Sequence, residues 1–181
     1  MTDQLSETSL VAGTCSLDTS HSTVGFTARH LMSKVRGTFT EFTGELTTTE
    51  DPTESAISVV IKASSITTNN EQRDGHLRSA DFFDVETTGQ MTFRSTSFDG
   101  STATGELTIK GVTNVVELDV EFLGIDKDAY GNTRIGFEAA TTINRKDFGV
   151  DFDIPLDGGK LLVGHKVDIQ LSIQGVLNTE A

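Results

Sequence analysis

The chain has 181 residues, with 27 Asp and Glu against 14 Lys and Arg, giving a formal charge of −13. That length suits one domain, and 35% hydrophobic residues supply a packed core, which excludes wholesale disorder. So acidic a surface repels phosphate backbones and anionic lipid headgroups, arguing against an electrostatic nucleic-acid binder or a basic membrane-surface module. No apolar run approaches the roughly 20 residues that a membrane-crossing helix needs.

Residues 1–10 (MTDQLSETSL) are polar and aperiodic and are expected to form a mobile tail, with order beginning near Leu10 and Val11. They carry no basic start and no apolar stretch, so no secretory signal is read there and a cytoplasmic location is expected. Residues 11–181 are expected to form the single domain. Its one cysteine, Cys15, excludes an internal disulfide and any cysteine-rich metal site. Val24, Phe26, Ala28 and His30 fall on one face of a strand, with Thr23, Gly25, Thr27 and Arg29 on the other. Leu31 to Arg36 is expected to form a short turn of helix. Ile57, Val59, Ile61 and Ala63 alternate with Ser58, Val60 and Lys62, and the spacing of Thr68 and Glu71 predicts a capping box opening two helical turns through Arg78. Met91 and Phe93, then Leu107 and Ile109, resume the alternation. Val116, Leu118, Val120 and Phe122 stand between Glu117, Asp119 and Glu121. Ile135, Phe137, Ala139, Thr141 and Ile143 follow, and Val167, Ile169, Leu171 and Ile173 close the series. Asp99-Gly100, Lys110-Gly111, Tyr130-Gly131-Asn132 and Asp157-Gly158-Gly159 suit tight connections.

One wet face and one apolar face per strand favour antiparallel pairing. Eight to ten hairpin-joined strands leave edges that closure removes. The expected fold is therefore all-β, an antiparallel barrel of about eight strands with one or two short helices. Such a barrel is wide enough to hold one small ligand. Eleven phenylalanines suit either a filled interior or a lined cavity.

Several stretches together are similar to the YceI-like family. They are Asp18-Thr19-Ser20-His21-Ser22-Thr23-Val24-Gly25-Phe26, His30, Gly37-Thr38-Phe39, Phe42-Thr43-Gly44 and Ser65-Ile66-Thr67-Thr68. The most specific block is Arg73-Asp74-Gly75-His76-Leu77-Arg78-Ser79-Ala80-Asp81-Phe82-Phe83-Asp84, followed by Met91-Thr92-Phe93-Arg94-Ser95-Thr96. Gly105 to Thr113 and Ile143-Asn144-Arg145-Lys146-Asp147-Phe148-Gly149 complete a resemblance that spans roughly residues 13–176. It implies a lipocalin-like barrel with a long hydrophobic channel, and a ligand of polyisoprenoid or other long-chain amphiphile type.

Binding an isoprenoid tail requires apolar area. The expected suppliers are Phe26, Phe39, Phe42, Val59, Ile61, Met91, Phe93, Ile135 and Phe137, although core and cavity residues look alike by pattern. The Arg73–Asp84 block is expected across one end of the barrel. There Phe82 and Phe83, adjacent in sequence, point opposite ways, and Arg73, Asp74 and Arg78 hold the lid by ion pairs. His30 or His76 would hydrogen-bond a headgroup near the mouth. His21, His30, His76 and His165 lack metal-ligand spacing, so no metal is expected. Asp147-Phe148-Gly149 shares only letters with the kinase metal motif, and no nucleophile elbow occurs. No enzyme is expected and no cofactor is required; a bound isoprenoid or other lipid is the ligand. The alternative is a filled barrel acting as an interaction module through a homodimer.

Overall fold

The computed structural model describes residues 12–153 and 163–178. The tail over residues 1–10, the expected start of order at Leu10 and Val11, and the Asp157-Gly158-Gly159 turn lie outside the described residues. Eleven antiparallel segments form one sheet: β1 (Gly13–Leu17), β2 (Thr23–His30), β3 (Ser33–Phe39), β4 (Phe42–Thr48), β5 (Ala56–Lys62), β6 (Ile66–Thr67), β7 (Gln90–Phe98), β8 (Thr102–Ile109), β9 (Val112–Lys127), β10 (Thr133–Asn144) and β11 (Val163–Leu177). One α-helix, α1 (Glu71–Arg78), follows β6.

Six of the eleven segments are halves of three longer strands. β1 and β2 both pair with β11, β4 and β3 pair with β1 and β2 respectively, and β5 and β6 pair with β4 and β3. The breaks fall at Asp18–Ser22, at Thr40–Glu41 and at a 3-10 turn, Ala63–Ser65. Eight walls therefore close in the order β1-β4-β5-β7-β8-β9-β10-β11, with β11 returning to β1. The closed, antiparallel, eight-walled barrel agrees with the expected fold class.

Alternation fills the inside. Phe42, Ile61 and Met91 line up across β4, β5 and β7, and Val59, Phe93 and Leu107 across β5, β7 and β8. Val120, Ala139, Leu171, Val24, Phe39 and Ile66 form a row from β9 round to β6. At Gly136–Phe137 the β9–β10 register slips by one residue, leaving Leu123 unpaired and outward. This bulge changes the parity of β9, so both Phe122 and Ile125 pack against the inner cluster of Cys15, Leu46 and Ile135.

Three expectations are corrected. Leu31–Arg36 is not helical: Ser33–Arg36 belongs to β3, and Leu31-Met32 is a two-residue turn. Nucleating a lone helical turn is unfavourable, whereas seven residue pairs with β2 supply a ladder at once. The helix does begin at Glu71, but its cap is Asn70, whose side chain accepts from the Arg73 amide at 3.0 Å; Thr68 is not the cap. Arg73, Asp74 and Arg78 make no ion pairs among the described residues, and bond instead to Thr68, Ser64 and Ile66.

Candidate functional site

One end of the barrel is closed by three pieces. The first is α1 with the loop after it. Buried Asp74 accepts from the Thr68 amide at 2.8 Å and from the Thr68 hydroxyl, and Arg73 Nε donates to that hydroxyl oxygen at 2.7 Å. Arg78 donates to the carbonyls of Ser64 (2.9 Å) and Ile66 (3.1 Å), which ties the helix to the β5–β6 corner. The second piece is the β8–β9 turn, where Lys110 Nζ bridges the carbonyls of Ala80 and Gly149 at 3.2 and 3.3 Å. The third is a 3-10 turn, Arg145–Phe148, capped by Asn144 and ended by Gly149 in the left-handed region (φ 73°).

The third piece fills a seam. β9 and β10 pair only over Asp119–Lys127 and Thr133–Ala140. Beyond that point Val112–Leu118 pairs with β8 and Thr141–Asn144 with β11, so the wall parts. Phe148, fully buried, and buried Val150 pack into the core there, and Asn114 Nδ2 donates to the Asp147 carbonyl at 2.8 Å. Arg145, also buried, donates to the carbonyls of Gly164, Val150, Phe152 and Val163 and to the Asp153 carboxylate, which also pairs with Lys146. The Asn144–Gly149 motif is thus a structural staple.

At the opposite end Arg134 clasps two carboxylates, Asp18 at 2.7 Å and Asp128 at 2.8 Å. Arg134, with Ser20 and His21, holds Asp18 well below the usual carboxylate range, and Arg134 brings Asp128 down to about 2. This joins the β1–β2 corner to the β9–β10 hairpin. Cys15, buried beside this end, has its thiol pushed up by burial.

Between the main core and this second end lies a half-open apolar cavity of about 70 Å³, lined by Leu46, Thr48, Ser55, Ala56, Ile57, Ser95, Phe98, Ala103, Val120, Phe122, Ile135 and Phe137. Three hydroxyl-bearing residues, Thr48, Ser55 and Ser95, line it. Ser95 Oγ accepts from the Ile57 amide at 2.8 Å, and the buried Ser55 Oγ has no partner. Inward residues Phe26, Val116, Val120, Phe137, Ile143, Ile169 and Leu171 on β2, β9, β10 and β11 stay half-buried, as do Ile57 on β5 and Phe98 on β7, whereas most of the inward residues on β4, β5, β7 and β8 are buried.

A larger concavity, of about 710 Å³, is elsewhere. Its walls are the outward residues of five neighbouring strands, Thr23, Gly25, Thr27, Arg36, Thr38, Asp119, Glu121, Glu138, Ala140, Gln170 and Ser172, with Phe26, Gly37, Val120, Ala139 and Leu171 between them. It is an open trough on the outside of the barrel, not its interior.

Of the residues expected to line a channel, the cavity gathers Ile135 and Phe137. Phe42, Val59, Ile61, Met91 and Phe93 are buried in the packed half. Phe26, Phe39 and Phe83 form a chain of rings at the helix end, with centroids 5.8 and 5.9 Å apart. Phe82 points the other way, under α1, against His76 (5.0 Å) and Phe152 (5.3 Å). His76 Nε2 is held by Asp81 at 2.9 Å, and His30 sits at the tip of the β2–β3 hairpin, away from the cavity. Leu46, Ile57, Phe98, Ala103, Val120 and Phe122 line the cavity without having been singled out. Among the described residues no cluster of His, Cys, Asp and Glu has metal-site geometry, and no helix is long and apolar enough to cross a membrane.

A family model described as a YceI-like domain matches residues 16–175. A UPF0312 protein of Staphylococcus epidermidis is 39% identical over 160 residues, covering 87% of this chain and 94% of its own. The Campylobacter jejuni YCEI protein superposes with a TM-score of 0.71 at 28% identity, over 83% of this chain and 90% of its own. A polyisoprenoid binding domain from Saccharophagus degradans, implicated in plant cell wall breakdown, superposes with a TM-score of 0.69 at 16% identity, over 93% of this chain and all of its own, a likeness of fold.

Proposed function

The chain belongs to the YceI-like domain family, and on that premise we propose that its barrel carries a long apolar amphiphile, of polyisoprenoid or isoprenoid-quinone type. The observation that carries this reading is the apolar cavity between Leu46, Ile57, Phe98, Val120, Phe122, Ile135 and Phe137, of which Ile57, Phe98, Val120, Phe122 and Phe137 are only half-buried. The polyisoprenoid binding described for the S. degradans neighbour supports the same ligand class.

At about 70 Å³ the cavity is less than half the roughly 150 Å³ that accommodates benzene, so a tail enters by displacing wall side chains. Burying about 300 Å² of tail yields roughly 7 kcal/mol, a sum from which that displacement and the ordering of the tail are subtracted. The Ser55 hydroxyl, without a partner, could donate one hydrogen bond to an oxygen of the ligand. No catalytic step belongs to the proposal. A cytoplasmic location does belong to it, and fractionation of the source cells tests that part.

Native mass spectrometry of the protein made in its own host, followed by organic extraction, tests the carrier. A co-purifying long-chain lipid and displacement of an apolar fluorophore are expected. The absence of both would overturn the reading. In that case the filled barrel with a homodimer interface takes its place, favoured by Val115 and Leu123, which stand exposed on the outside of β9. Sedimentation equilibrium then measures the dimer.

A further inference from the structure

The tip of the β2–β3 hairpin runs against the rest of the molecule. His30 pairs with Ser33, leaving Leu31 and Met32 as a two-residue turn. Met32 is 96% exposed and Leu31 51%. Leu31 has φ 54°, in the region where Asn or Gly is the ordinary occupant of such a turn. Just behind the tip, Arg29 and Lys34 stand directly opposite one another, a like-charge pair that weakens a hairpin. Arg36 follows one step along the same face. None of these three cations has an ion pair among the described residues. In a chain with 27 acidic residues, none occurs between Asp18 and Glu41. Across the ladder β11 adds Lys166 and one acid, Asp168, whose carboxylate already accepts from the Thr142 hydroxyl at 2.7 Å.

We propose that this tip docks the protein on an anionic lipid surface, Leu31 and Met32 entering the headgroup region while Arg29, Lys34 and Arg36 meet lipid phosphates and carboxylates. The facing cations are neutralised on such a surface, and the exposed Leu31 and Met32 side chains leave water there. Two aliphatic side chains at the apex gain from acyl chains and gain nothing from a phosphate backbone, so a bilayer fits better than a nucleic acid. The net charge of −13 does not prevent this. At physiological ionic strength charges are screened within about 8 Å, so the bilayer senses the tip and not the far side of the barrel. The tip also projects from the end where β9 and β10 part, which sets the seam towards the membrane. The inference stands on the hairpin alone, whatever the barrel binds.

Co-sedimentation of the full chain with vesicles tests it, using phosphatidylcholine alone and phosphatidylcholine with about a third phosphatidylserine. Binding to the anionic vesicles that falls as salt rises is expected. Leu31→Asn with Met32→Ser should abolish it while keeping the melting temperature, because asparagine suits the positive φ. Arg29→Gln, Lys34→Gln and Arg36→Gln should each weaken it roughly fivefold. No binding, binding that rises with salt, or a double variant that sediments like the parent would overturn the proposal. So would a double variant that loses only self-association, which would make the tip a contact between copies. Fluorophore binding in the barrel, measured on the same variants, should not change, so this test and that of the carrier fail independently.

Discussion

Arg145 lies inside the wall with its guanidinium facing four main-chain oxygens and the Asp153 carboxylate. A planar five-donor fork meets that arrangement, and a lysine ammonium does not. Arg145→Met should lower stability by about 3 kcal/mol, since the buried carbonyls then lose their partner, and Arg145→Lys should recover little of it. Urea unfolding at neutral pH measures both. The Arg134 clasp makes a different kind of prediction, one of pH. Asp18 and Asp128 are held below their ordinary pKa in the folded chain, so their contribution is complete above the unfolded value near 4 and is lost as pH falls towards about 2. Asp51, Asp99 and Asp153 are lowered too and act in the same direction. Arg134→Met should therefore flatten the fall in stability between about pH 4 and pH 2. Denaturant midpoints read across that range check it, and an unchanged slope would remove the clasp as the cause.

Helix α1 has two fastenings of unequal strength. Its Asn70 cap is exposed, and Asn70→Ala should cost about 1 kcal/mol. Thr68→Val removes a hydroxyl that donates to buried Asp74 and accepts from Arg73, leaving Asp74 with one main-chain donor, and should cost about 2–3 kcal/mol. Thermal melts of the two variants give the order, and a costlier N70A would reverse it. The same helix shows what could be read in advance. Its extent was legible from the Thr68–Arg78 pattern. Its anchors were not, because Arg73 and Arg78 bond to main-chain carbonyls that any sequence supplies. β9 and β11 were legible because one-sided burial writes a period of two into Val116–Phe122 and Val167–Ile173. The turn at Leu31-Met32 was not, since neither residue is a turn former and only pairing with β2 imposes it. The cavity was legible only in part. Every inward residue obeys the same alternation, and whether it meets a neighbour or a void depends on the residue across the barrel. Ala103, a small inward residue between Thr102 and Thr104, was the one local hint of spare room.

For the whole barrel, the question is why so closed a structure keeps a void. A half-open cavity of about 70 Å³ leaves apolar wall without packing partners, which lowers stability. An interior selected for packing alone would fill it, and the smallest change that does so is at Ala103, which faces Leu118 and Phe98 across its two neighbouring strands. Ala103→Leu separates the two accounts of the void. Filling it should raise stability by about 1 kcal/mol under either account, which also certifies that the variant is folded. If the cavity is where a tail begins to enter, fluorophore affinity should fall at least tenfold, because the roughly 7 kcal/mol available from tail burial is no longer reachable from a filled start. If the cavity is only a packing flaw, the variant should bind any apolar probe as the parent does. Fluorophore titration of A103L beside its urea unfolding curve reads both numbers on one sample, and a stabilised variant with undiminished binding would separate the void from the ligand.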